Sequence, residues 1–231
     1  MVSPVIKIHI LSLVEPLMKK NNLSKLNIFP ETTNNISLAA EIVRQGGIIA
    51  CLTDTLYGLV ADATNSNSVT KIFRIKSRGE NKPLLILVDN FEVASKVAIF
   101  SWQAKIIAEK FWPGPLTLIL PRQNSCMVVK EINPVSDTIA IRIPDRARTL
   151  ELIDKISLPI TAPSANLDSK KPAQSAEEIF RAFGSNIDLI LDAGVSKNLT
   201  PSTVVDLTSS KPKIIREGVI LEGQITEVIK R

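Results

Sequence analysis

Two short polar elements carry much of the chemistry available to this sequence: K-S-R (Lys76, Ser77, Arg78) and S-A-N (Ser164, Ala165, Asn166). Arginine presents a rigid, permanently charged fork of donors, and lysine adds a mobile point charge, so the first element suits phosphate or carboxylate. The second offers a hydroxyl and an amide that can fix a ligand's orientation. Each also has a plainer reading. A K-x-R on a helix is commonly a solvated face, and S-x-N after a proline is commonly a turn or a helix cap.

Further polar residues fall where apolar, strand-like runs end: Thr53 to Thr55, Thr138 with Arg142, Ser202 with Thr203, and Arg216. In open α/β sheets the crevice at strand ends is where ligands bind, so these segments are expected to meet the first two there. The sequence contains neither G-x-x-x-x-G-K-[ST] nor G-x-G-x-x-G. A bound nucleotide would therefore be held by separate side chains, not by a glycine-rich phosphate cradle. The segment F-W-P-G-P-L-T (111–117) is bracketed by prolines and reads as rigid packing.

The elements that must position these residues follow from periodicity and breakers. Strands are predicted at 48–52, 84–88, 116–120, 138–143, 158–162, 189–191, 203–207 and 213–216. Helices are predicted near 38–44, 69–76, 91–99, 103–111, 146–155, 175–183 and 224–229. This interleaving predicts an α/β or α+β class built on one mixed sheet. Residues 1–35 read as an N-terminal extension of uncertain structure, and 36–231 as the domain proper.

Composition narrows the chemistry. With 45% hydrophobic and 22% charged residues, the 231-residue chain can fill a sizeable core. Its longest apolar runs are far short of the roughly 20 residues a membrane helix needs. The run 5–14 is broken by Lys7 and His9 and lacks a cleavage site, so no signal peptide is expected. Cys51 and Cys126 show no pairing pattern, which points to a reducing compartment, the cytoplasm. His9 is the single histidine, so neither a serine–histidine relay nor a zinc cluster is expected. Chemistry must then use cations, hydroxyls, carboxylates or a metal that arrives with the ligand. The net charge of +5 is a mild bias toward polyanions, and aromatics at 4% form no evident stacking platform.

Eight phrases, in order, resemble the YrdC family of threonylcarbamoyl-adenylate synthases. They are T-D-T-L-Y-G-L (53–59), K-I-F-R-I-K-S-R (71–78), K-P-L (82–84), F-W-P-G-P-L-T (111–117), T-I-A-I-R-I-P (138–144), A-P-S-A-N-L (162–167), P-S-T-V-V-D (201–206) and I-R-E-G (215–218). The resemblance runs from about Ser37 to the C-terminus. It implies a single α/β domain with a twisted, mostly parallel or mixed sheet and flanking helices around a basic cavity.

It also implies a reaction. L-threonine, bicarbonate and ATP, with Mg²⁺ on the phosphates, would yield threonylcarbamoyl-AMP and pyrophosphate. Downstream tRNA threonylcarbamoyl-transferase proteins would then modify N6 of adenosine 37 in tRNA. Carried over by position, Thr55, Arg142, Ala162 and Ser202 would hold threonine. Arg78, Lys82, Thr138, Ser164, Asn166 and Arg216 would contact ATP, and Lys76, Arg78 and Arg142 would be the catalytic cations. Gly79 stands where relatives commonly have proline, Leu87 where many carry histidine, and Asp168-Ser-Lys-Lys171 replaces the usual Ser-Gly turn. The alternative is a YrdC-like module that holds nucleotide, tRNA or double-stranded RNA without turnover. A carbamoyl-transfer domain of hydrogenase maturation normally sits in a much larger chain.

Overall fold

The computed structural model describes residues 27–79, 82–197 and 199–229. The expectations for His9 and the apolar run 5–14 lie outside the described residues. Among the described residues the strands form two sheets. The first, in order, is β1 (Ile28–Pro30), β8 (Leu189–Asp192), β2 (Ile49–Leu52) and β3 (Tyr57–Val60). The second is β10 (Lys213–Arg216), β9 (Thr203–Asp206), β5 (Leu116–Pro121), β6 (Thr138–Arg142), β4 (Leu85–Leu87) and β7 (Ile160–Thr161). The pairs β1–β8, β2–β8, β4–β6 and β5–β9 are parallel, and the remaining four are antiparallel.

The single sheet expected from sequence is thus two, but their facing edges are stitched together. Leu59 N donates to Pro163 O at 2.8 Å, Thr161 N to Ala61 O at 2.9 Å, and Ala165 N to Tyr57 O at 2.7 Å. The edge strand β3 was not read from the sequence because Gly58 interrupts its apolar pattern and a polar turn precedes it. Residues 28–35, expected as part of an extension, belong to the fold. They form β1 and the start of α1 (Thr33–Arg44), whose N-cap Thr32 accepts from Asn35 N at 3.3 Å. Three residues of strand give too short a pattern to recognise.

The other helices are α2 (Ser66–Lys76), α3 (Phe91–Val97), α4 (Trp102–Phe111), α5 (Ala147–Ile156), α6 (Ala176–Phe183) and α7 (Glu222–Ile229). Helices α1 and α5 bury Ile36, Ala39, Val43, Leu152, Ile153 and Ile156 against Ile49, Cys51, Leu189 and Leu191 of the first sheet. The larger core takes the alternate residues, Ile48 just before β2, Ala50 and Ile190.

In the second sheet the period of two divides the work. Leu116, Leu118 and Leu120 of β5, Ile139 and Ile141 of β6, Ile86 and Val205 all point into the larger core. The alternate residues Thr117, Ile119, Ala140, Arg142, Leu85 and Val204 line a cavity on the other face. The cavity therefore lies over a sheet face, where the sequence pointed to a crevice at strand ends. Strand β10 adds a register shift between Ile214 and Arg216. Through it two consecutive residues, Ile215 and Arg216, both reach the cavity.

The chain after β10 turns against β9. Thr203 Oγ1 accepts from Gly218 N at 2.9 Å and donates to Ile220 O at 2.6 Å. A Cβ on Gly218 would lie 2.2 Å from Pro201 O. Gly218→Ala should therefore destabilise the fold by about 1–3 kcal/mol, measured by urea unfolding. Gly223→Ala, in α7 with open space around it, should be neutral or stabilising by up to ~0.5 kcal/mol. Equal effects at the two glycines would contradict this packing.

Candidate active site

The cavity has a volume of about 550 Å³, within the range of small-molecule sites. Three guanidiniums, those of Arg78, Arg142 and Arg216, reach its lining from three different parts of the chain. Burial lowers the pKa of each from the usual arginine value. Arginine's value is so high that all three remain charged near neutrality. The cavity is therefore poised for a ligand with more than one anionic group.

Arg142 ends β6 with its side chain only 2% exposed. A buried charge is tolerable when its donors are met. Here the turn between β2 and β3 meets two of them, Nη1 and Nη2. Nη1 donates to Thr55 Oγ1 at 3.0 Å and Nη2 to Thr53 Oγ1 at 3.4 Å. Thr53 in turn ties the turn down, its N–H and hydroxyl both donating to Leu56 O. Asp54 lies 3.4 Å from Nη2, 5% exposed, and supplies a countercharge. Burial is the main influence lowering the Arg142 pKa, Asp54 opposes it, and the nearby Arg216 adds to it. Both carboxylate oxygens of Asp54 and Nε of Arg142 have no hydrogen-bond partner. The contact is therefore an ion pair without the bidentate geometry that would saturate the fork.

Arg216 crosses from β10 toward the loop before β9. Its Nε and Nη2 donate to Ser202 O at 3.2 and 2.8 Å. The Ser202 hydroxyl lies 2.8 Å from Thr117 Oγ1. These two hydroxyls, both buried, form a polar floor between Arg142 and Arg216 in an otherwise apolar stretch of sheet.

The K-S-R and S-A-N elements are physically joined. Lys76, at the C-terminus of α2 and 1% exposed, donates through Nζ to the carbonyls of Ser164 and Asn166. Its own carbonyl accepts from Asp168 N at 2.9 Å. Asn166 Nδ2 donates to Leu167 O and Lys170 O, closing the same loop. Burial, with a smaller contribution from Arg78, lowers the Lys76 pKa to about 8. Ser77 turns the chain in the left-handed region at φ 50°. Arg78 is thereby set at the cavity wall, held by Lys82 O at 2.9 Å and Pro83 O at 3.0 Å.

Of the eleven residues given a binding or catalytic role from sequence, Thr55, Arg78, Arg142, Ala162, Ser164, Ser202 and Arg216 line the cavity. Four do not. Lys76 and Asn166 are turned into the 164–170 loop and act as its staples. Lys82 points to Asp168, with 2.6 Å between Nζ and Oδ2. Thr138 shares the face of Ala140 and Arg142 but lies at the far end of β6, bonded to Asn133 and Ser136. Cys51 is fully buried with its thiol pushed up to about 12, so it stays protonated and offers no nucleophile. Among the described residues no group of three or more His, Cys, Asp or Glu could hold a metal ion. Nor is any described helix long and apolar enough to cross a membrane.

The family model for Sua5, YciO and YrdC proteins, described as telomere recombination, matches residues 41–218. The chain belongs to this family. A threonylcarbamoyl-AMP synthase of Pyrococcus abyssi is 38% identical over 195 residues, covering 84% of this chain and 57% of that protein. The chain thus spans little more than half of that relative. A putative threonylcarbamoyl-AMP synthase of Methanocaldococcus jannaschii is 38% identical over 179 residues, 77% of this chain and 83% of that one. The crystal structure of P. abyssi Sua5 complexed with L-threonine superposes with a TM-score of 0.82 at 36% identity, covering 88% of this chain and 59% of that one. The mixed α/β fold is the Sua5/YrdC fold.

Two residues of the cavity lining, Thr117 and Tyr57, escaped the sequence reading. Thr117 was placed in rigid packing, and the segment does pack: Trp112 Nε1 donates to Leu116 O at 2.7 Å. Its last residue nevertheless faces the cavity. The usable signal was one hydroxyl alternating with leucines in an otherwise apolar strand. Tyr57 also lines the cavity, its hydroxyl fixed by Ala193 N and Gly194 O and its pKa raised to about 12, mainly by burial. No sequence pattern marks such a long-range pair.

Lys76 yields a prediction with a definite sign. Its pKa is depressed in the fold, so the unfolded chain binds more protons between about pH 8 and 10.5, and stability rises with pH across that window. Below about pH 8 the cost of the buried charge is present in full. Lys76→Met removes the donor from two partly buried carbonyls and should cost about 2–4 kcal/mol at pH 7.5. The gap to the parent should widen by about 1–2 kcal/mol at pH 9.5. A gap that narrows with rising pH, measured by chemical denaturation, would show that Lys76 is not desolvated as described.

Proposed function

We propose that this chain is a threonylcarbamoyl-AMP synthase, joining L-threonine, bicarbonate and ATP and releasing pyrophosphate. The observation that carries this reading is the convergence of Arg78, Arg142 and Arg216 with the hydroxyls of Thr55, Ser164 and Ser202 on one cavity. The synthase names of the Pyrococcus and Methanocaldococcus relatives support it, as does the threonine bound to P. abyssi Sua5.

In this reading Arg142 faces the threonine carboxylate. Its fork is already oriented by Thr53 and Thr55 and is not saturated by Asp54. Ser202 and the Ala162 backbone complete the amino-acid end. Arg78, Arg216 and Ser164 take the nucleotide, with Lys82, Thr138 and Asn166 outside the lining as its more distant neighbours. The threonine amine adds to bicarbonate with loss of water. The resulting carbamate oxygen attacks the α-phosphorus, and pyrophosphate leaves with the electron pair of the broken bond. An anionic nucleophile approaching a polyanion is opposed by about 4 kcal/mol per charge pair at ~4 Å and an effective dielectric near 20. Fixed guanidiniums offset this repulsion without reorganising. Mg²⁺ carried by ATP adds charge neutralisation on the phosphates, and the chain's contribution is positioning. Lys76 acts by holding the loop that carries Ser164. The product would pass to tRNA threonylcarbamoyl-transferase proteins acting at adenosine 37.

The test is pyrophosphate release that requires ATP, threonine and bicarbonate together. Folded protein that binds nucleotide but releases no pyrophosphate would favour the binding-module alternative. Arg142→Ala should raise the KM for threonine at least ten-fold, and Arg78→Ala the KM for ATP by a similar factor, as expected for charged hydrogen bonds worth about 1.5–3 kcal/mol. Equal loss for both substrates in both variants would show the roles to be misassigned.

A further inference from the structure

We propose that Asp168 is a built-in counter-anion on the nucleotide-side cations, which a phosphate must displace, so that it tunes the site's affinity for polyphosphate. The proposal rests on the synthase reading and names a residue to which that reading gives no role.

The geometry is specific. Asp168 Oδ2 lies 2.6 Å from Lys82 Nζ, and Oδ1 lies 3.8 Å from Arg78 Nη1. One carboxylate therefore bridges a cation of the cavity wall to a second cation just outside it. Asp168 is brought there by the loop and not by chance contact. Its N–H donates to Lys76 O, Asn166 Nδ2 reaches across to Lys170 O, and Ser169 takes a left-handed conformation at φ 64°. The same loop carries Ser164 at one end and Pro172 at the other, both in the cavity lining. The Asp168 carboxyl is held below the usual range by the Lys82 hydrogen bond first, then by the charges of Lys82, Arg78 and Lys76. The carboxylate is thus ionised at neutral pH.

A carboxylate and a phosphate oxygen compete for the same donors. The 3.8 Å separation from Arg78 is an ion pair without a hydrogen bond, and Nε and Nη2 of Arg78 are taken up by Lys82 O and Pro83 O. Nη1 is the arm turned to Asp168, and it can be given to an incoming phosphate without dismantling the rest of the guanidinium's contacts. Lys82, about half exposed, can follow. Removing the negative charge of Asp168 should then strengthen polyphosphate binding, whereas a purely structural loop residue would weaken it when replaced.

The experiment is calorimetric titration of inorganic pyrophosphate and of ATP into the full chain and into Asp168→Asn, with L-threonine as a second ligand. Asp168→Asn should bind both anions about two- to five-fold more tightly, as expected for one partly exposed ion pair. The gain should shrink as salt is raised, and threonine binding should not follow it. Asp168→Glu, which keeps the charge, should resemble the parent. Asp168→Ser serves as a second neutral variant, and thermal unfolding confirms that each is folded. Unchanged or weaker anion binding in the neutral variants overturns the proposal, as does equal tightening in Asp168→Glu. Parent and variants that all fail to bind ATP or pyrophosphate would overturn the nucleotide reading itself, and this proposal with it.

Discussion

A guanidinium buried on a strand is the interaction on which this site depends. Arg142 sits 2% exposed on the cavity face of β6. An isolated charge there would be prohibitive, and removing one member of a buried pair typically costs several kcal/mol. The turn at 53–56 makes it tolerable by supplying two hydroxyls and a carboxylate. That turn is fixed by the antiparallel pairing of β2 with β3, and β3 is fixed by its stitches to residues 161–165. The orientation of one charged group therefore requires both sheets to be assembled. One of its donors, Nε, is left without a hydrogen-bond partner.

The same economy runs through the rest of the cavity. Strict alternation along β5 and β6 gives leucine and isoleucine to the core and hydroxyl, small and cationic groups to the other face. Core and site are two sides of one sheet, so the packing that stabilises the fold also holds the floor of the site rigid. The loops above it are braced by polar groups instead. Lys76 spends its charge on two carbonyls of the 164–166 segment, and Arg216 on the carbonyl of Ser202. Cations in this site thus have two tasks, facing the cavity and holding the backbone that faces it.

The α/β class and nearly all element positions were legible, because long amphipathic helices and apolar strands carry strong periodic signals. Strand β10 falls where it was read, at 213–216, and α4 differs by one residue. What was lost is physically instructive. Strand β1 has three residues, and β3 is broken by Gly58, so neither shows a period. Where the sheet divides, and which face holds the cavity, depend on pairings between residues about 100 positions apart, such as Thr161 with Ala61. Sequence spacing does not encode such pairings.

Within the cavity, the motifs pointed to segments that reach the lining but did not separate the atoms that face it from those that brace it. K-S-R and S-A-N each split, one residue to the cavity and one to the backbone: Arg78 and Ser164 line it, while Lys76 and Asn166 brace it. Residue type alone could not separate these tasks, since a lysine suits a phosphate and a pair of carbonyls equally well. The most direct test is a crystal structure of the chain with L-threonine and a non-hydrolysable ATP analogue. The account predicts the amino-acid carboxylate within hydrogen-bonding distance of Arg142, and phosphate oxygens against Arg78 and Arg216. Ligands bound away from the β5–β6 face, with all three guanidiniums untouched, would contradict it.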